Sequence, residues 1–145
     1  MRFFMSRFEE ETLALLRFMA GLMFAMHGAQ KLLGAFGGVD GNGATPPLLS
    51  LFGFAGVLEL VGGILIAVGL LTRPVAFLLS GQMAVAYFMQ HFPNGFWPIQ
   101  NQGELAALYC FVFLYLSARG PGRYSLDAVV FRNHMEADLR RPARL

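Results

Sequence analysis

The residues that could do chemistry in this chain are the few polar ones set inside its apolar runs. Glu59 lies within "GVLELVGGILIAVGLL", residues 56–71, where no other side chain carries a charge or a hydrogen-bonding group. A carboxylate in such a run needs a basic or hydrogen-bonding neighbour, or else must hold a proton, because burial disfavours its charged form. His27 is the nearest proton-transfer partner by type, and Gln30 and Lys31 follow it at the three- and four-residue spacings that share one helix face. A buried carboxyl beside a histidine can pass a proton, so Glu59 and His27 form the candidate catalytic pair. Lys31 or the deeper Arg17 would hold the charge.

Gln82, His91 and Glu104, from two further runs, complete the polar set. The segment "HFPNGFWPIQNQGE" adds Phe96 and Trp97, read either as an aromatic belt or as a cover over a pocket for a flat ring such as a quinone. His27 and His91 could in principle ligate a haem, with Glu59 and Glu104 as metal alternatives, but the spacing is not specific and a metal site is not expected. Neither a nucleophile triad, a phosphate loop nor a nucleotide fingerprint is present. Cys110 is the single cysteine, which excludes an intrachain disulfide and any CxxC redox pair.

The elements that position these groups follow from length and hydropathy. The chain has 145 residues, 56% of them apolar, which is more than one small soluble core can bury. Residues 12–118 contain only six formal charges, Arg17, Lys31, Asp40, Glu59, Arg73 and Glu104. Four apolar runs, 12–33, 52–71, 74–92 and 104–118, approach the roughly 20 residues that a helix needs to cross a bilayer. Lipid offers the backbone no hydrogen bonds, so the runs must be helices. The predicted fold is an all-α, four-span membrane bundle. At about 1.5 Å per residue, Glu59 and His27 lie at one depth, roughly 10 Å from the same surface.

Lys and Arg cluster before the first run, in the 72–73 turn and after the last run, so both termini are expected in the cytoplasm and the long loops outside. The acidic "EEE" before the first apolar run argues for an uncleaved first span rather than a removed signal peptide. Pro74 fits the first turn of the third helix. Gly21 with Gly28, and Gly56 with Gly63, repeat at seven residues and suit close helix approach. Ser125 is a plausible N-cap for a short amphipathic helix bearing Leu126, Val129 and Val130, with Arg132 reaching lipid headgroups. The basic tail, 129–145, points to anionic lipid and not to nucleic acid.

These residues also carry a likeness. "RFMAGLMFAMHGAQKLLG", "GVLELVGGILIAVGLLTRPVA" and "YFMQHFPNGFWPIQNQGELAALYCFVFLYLSARGPGRYSLDA", in this order, resemble the DoxX family of small four-span membrane proteins over residues 12–128. By position, Arg17, Gly28, Lys31, Glu59, Gly62, Gly63, His91, Pro93, Gly95, Phe96, Trp97 and Glu104 match its recurrent pattern. The resemblance implies a multi-pass protein of a bacterial inner membrane with a part in membrane redox. Its relatives are subunits of quinone-linked sulfur-compound oxidoreductases, or of complexes that handle thiol and oxidant stress with soluble partner proteins. The reading of the residues together with this likeness is therefore a membrane subunit of a redox system that acts with partners, with a quinone as the candidate cofactor. Assembly with further copies of itself is compatible with it. A small-solute carrier, and a scaffold recruiting a soluble enzyme, are the alternatives.

Overall fold

The computed structural model describes residues 4–131; the tail from Arg132 onward, and the expectations placed on it, lie outside the described residues. Helix α1 spans Glu9–Leu33, α2 Leu51–Val68, α3 Thr72–Ala86, the short α4 Pro98–Asn101, α5 Glu104–Arg119 and the short α6 Leu126–Val130. No strand forms among the described residues. The predicted helical runs are thus helical nearly end to end. The one departure in type is at the end of the third, where the α-helix gives way to a π turn over Tyr87–His91.

The helix ends are dictated locally. Glu9, Glu10 and Glu11 occupy the first turn of α1 and Lys31 its last, each complementing the helix dipole. Ser50 caps α2 by accepting a hydrogen bond from the Gly53 N–H at 3.1 Å. Ser125 caps α6 in the same way through the Ala128 N–H. Between α2 and α3 the chain reverses in three residues, with Leu71 held at φ 51°, a left-handed conformation rare for a side chain of its size.

Small residues set the packing. A Cβ built on Gly21 would lie 2.4 Å from the Ala67 nitrogen, one on Gly28 2.2 Å from the Leu60 nitrogen, and one on Gly63 2.5 Å from the Ala25 nitrogen. The predicted glycine faces therefore bring the backbones of α1 and α2 into direct contact. Helix α3 packs along α5 in a second close pair, and the two pairs meet more lightly. Phe24, Tyr109 and Phe113 fill the centre, with ring centroids 4.9–5.5 Å apart.

The outer surface inverts that of a soluble protein. Leu15, Phe77 and Phe111 are 63%, 69% and 68% exposed, whereas Arg17 and Glu59 are 4% and 3% exposed. Helix α1 with the turn before it, and helix α2, are each long and apolar enough to cross a membrane.

Candidate functional site

Glu59 finds its partners on two helices. Lys31 Nζ donates to both carboxylate oxygens, at 2.6 Å and 2.5 Å, and Gln82 Nε2 donates to Oε1 at 3.2 Å. Gln82 also reaches the Ala55 carbonyl at 3.3 Å, tying α3 to α2. The Lys31 side chain keeps 20% of its surface exposed while that of Glu59 keeps 4%, so the pair sits at the edge of a cavity with the acid inside. Three hydrogen bonds from two side chains thus converge on one carboxylate.

That cavity, about 260 Å³, lies between the two helix pairs. Its polar lining comes from His27 and Lys31 on α1, Glu59 on α2, Gln90 and His91 on the π turn, Gln102, and Tyr109 on α5. His91 Nδ1 is 3.1 Å from the Asn101 carbonyl oxygen, which can only accept, so Nδ1 carries the proton of that bond. His27 stands edge-on to the Tyr109 ring at 6.4 Å. Phe24, Phe52, Met83 and Leu105 supply apolar walls.

Two buried polar atoms at this centre have no hydrogen-bond partner, Tyr109 Oη and Gln82 Oε1. Tyr109 is 6% exposed, and a buried hydroxyl left unpaired costs about 1–3 kcal/mol. It is the candidate-site residue that sequence reasoning missed. Its signal was present: Ala106, Tyr109, Phe113 and Leu116 repeat at three- and four-residue spacing and form the buried face of α5.

The remaining candidates lie elsewhere. Arg17, in the first half of α1, does not pair with Glu59; its guanidinium donates to the carbonyls of Pro121 and Tyr124, binding the segment after α5 back onto α1. Phe96 and Trp97 do not cover the Glu59 cavity. They frame a separate apolar cavity of about 370 Å³ with Tyr87, Phe88, Phe92 and Phe111, into which Cys110 also faces. The loop is turned that way by Asn101, 4% exposed, whose amide donates to the Gly95 carbonyl and accepts from the Gly103 N–H, while Tyr87 Oη donates to the Phe96 carbonyl. Glu104 is exposed in the first turn of α5, where its charge suits the helix dipole and it lines neither cavity. Among the described residues no group of three or more His, Cys, Asp or Glu is placed to hold a metal ion.

Comparison with known proteins completes the picture. The family model described as DoxX matches residues 12–92, which takes in Arg17, His27, Lys31, Glu59, Gln82 and His91 but stops short of Tyr109. An uncharacterized protein of Haemophilus influenzae is 46% identical over 125 residues, covering 83% of this chain and 91% of its own length. No solved structure matches. With more than half of its residues under the family model, two helices able to cross a membrane and a charged cluster enclosed by apolar ones, this chain is a membrane protein of the DoxX family.

Proposed function

We propose that this protein is a four-span inner-membrane subunit of a redox system, both termini cytoplasmic, and that the Glu59 cavity receives the head of a quinone. The observation that carries this reading is the unpartnered Tyr109 hydroxyl in the wall of a cavity that also holds an ion pair and two histidines. A hydroxyl with no acceptor fits the carbonyl oxygen of a flat ring, and Phe24 and Leu105 fit its faces. Opening toward the extracytoplasmic side follows from the distribution of arginines, which gather at the opposite end.

When bound, a quinone supplies two-electron chemistry coupled to the uptake of two protons. The chain's own residues then have defined tasks. Tyr109 donates a hydrogen bond, Lys31 holds the charge of Glu59, and Glu59 with His27 relays protons to the cavity. The electrons are assigned to a soluble partner protein, as the family likeness implies. Titrating purified protein with a short-chain quinone tests the reading: saturable binding is expected, weakened in Glu59→Gln, and equal, negligible binding in both would reject it.

One feature favours a second reading, a small-solute carrier. The cavity lies on the seam between the α1–α2 and α3–α5 pairs, where rocking of one pair against the other would open it. Solute flux into proteoliposomes without any electron donor would decide for the carrier.

A further inference from the structure

We propose that the end of the bundle where α1 begins and α5 ends holds one anionic phospholipid by its phosphate. The site is a cavity of about 630 Å³ between the start of α3, the end of α5 and α6. It is separate from the Glu59 cavity and rests only on the chain lying in a bilayer.

Three arginines line it, Arg73, Arg119 and Arg123, with two carboxylates, Glu10 and Asp127. The acids are already engaged. Asp127 accepts from the Leu71 and Thr72 N–H groups, one on each oxygen, at 2.7 Å and 2.9 Å. Glu10 accepts from Arg119 at 2.6 Å and from the Arg123 N–H at 2.7 Å. The cations are not all compensated. Arg73 donates only to the Ser117, Ala118 and Arg119 carbonyls at the end of α5, which fixes its guanidinium without neutralising it. Arg123 lies over the Tyr124 ring at 5.6 Å, and neither it nor Arg73 joins an ion pair among the described residues. Arg119 is paired with Glu9 at 3.2 Å as well as with Glu10, so Arg73 and Arg123 are left to meet the charge a phosphodiester brings.

An independent observation points the same way. Thr72 is fully buried in the cavity wall, and its hydroxyl has no hydrogen-bond partner. A phosphate oxygen would satisfy it. The rest of the wall is apolar: Leu71 and Phe131 are 47% and 39% exposed there beside Pro74. A free phosphate has no use for such a wall, whereas the glycerol and first methylenes of a lipid do.

Native mass spectrometry of the full chain in mild detergent, titrated with phosphatidylglycerol and separately with phosphatidylcholine, tests this. One phosphatidylglycerol per chain is expected, preferred over phosphatidylcholine about fivefold, the discrimination that one uncompensated arginine provides. Arg123→Gln should erase most of that preference, whereas Thr72→Val, which loses a contact to the phosphate both lipids carry, should weaken the binding of both, and Thr72→Ser should retain it. Equal binding of the two lipids, a preference surviving Arg123→Gln, or binding unchanged by Thr72→Val would overturn the proposal. Displacement of the lipid by millimolar inorganic phosphate would overturn the assignment to lipid in favour of the free ion. Glu59→Gln is expected to leave the lipid bound, so this test stands apart from the quinone reading.

Discussion

Gly28 lies so close to Leu60 that a side-chain carbon on the glycine would sit 2.2 Å from the Leu60 nitrogen. This contact sets the reach of the ion pair, because Lys31 is three residues after Gly28 and Glu59 is the neighbour of Leu60. Gly28→Ala should push α1 from α2 and cost about 1–3 kcal/mol, the usual penalty of overpacking. Thermal unfolding in detergent reads this as a lowered midpoint.

Removing one partner of the pair should cost more than removing both. Lys31→Met leaves a 3%-exposed carboxylate with Gln82 as its remaining side-chain partner, a loss of about 3 kcal/mol at neutral pH. Lys31→Met combined with Glu59→Gln should recover at least half of that loss. A double-mutant cycle on unfolding midpoints measures the coupling, and strict additivity would contradict it.

Tyr109→Phe separates stability from binding. Deleting a buried hydroxyl that has no partner should leave the unliganded protein as stable or raise its stability by about 1 kcal/mol. The same change should weaken quinone binding about fivefold, the worth of one neutral hydrogen bond. A variant both less stable and unchanged in affinity would place the hydroxyl's role outside the cavity.

Asp127 substitutes for an N-cap that α3 does not carry locally, since Leu71 precedes the helix and offers no side-chain acceptor. Asp127→Ala should therefore cost about 1 kcal/mol, as caps usually do. It should also loosen α6, which limited proteolysis after residue 120 would report as faster cleavage.

Asp40, in the exposed loop before α2, accepts from the Ala44 and Asn42 N–H groups at 3.0 Å and 2.9 Å. The Ala44 bond first, then the Asn42 bond, holds its carboxyl below the ordinary aspartate range. The loop's ordering by Asp40 is then complete above the ordinary aspartate pKa and is lost as pH falls through the lowered one. Carboxyl-carbon NMR titration should show that depressed midpoint, and an unshifted one would mean the turn is not held in solution.

The helices were legible because apolar run length and the lipid solvent leave few choices, and α1, α2 and α5 start within three residues of the expected positions. Lys31 was legible as one of three open partners for Glu59, beside His27 and Arg17; the depth estimate put His27 at Glu59's level, whereas the hydrogen bonds to Glu59 come from Lys31 and Gln82. Gln82 was legible as a polar group in the third run, though not as Glu59's second donor. The place of Arg17 was not, because its acceptors are backbone carbonyls fifty to more than a hundred residues away, and every backbone offers a carbonyl.

What the sequence determined by itself is the membrane class, the helical elements and the glycine faces that join α1 to α2. These follow from local composition and periodicity, which act along one helix at a time. The tertiary structure alone decided which side of the α3–α5 pair each loop residue serves, sending Trp97 and Phe96 to an apolar cavity and turning Tyr109 toward Glu59's. Rotation of one helix about its axis relative to the next is fixed by contacts between them, and an apolar run surrounded by lipid carries almost no local record of it.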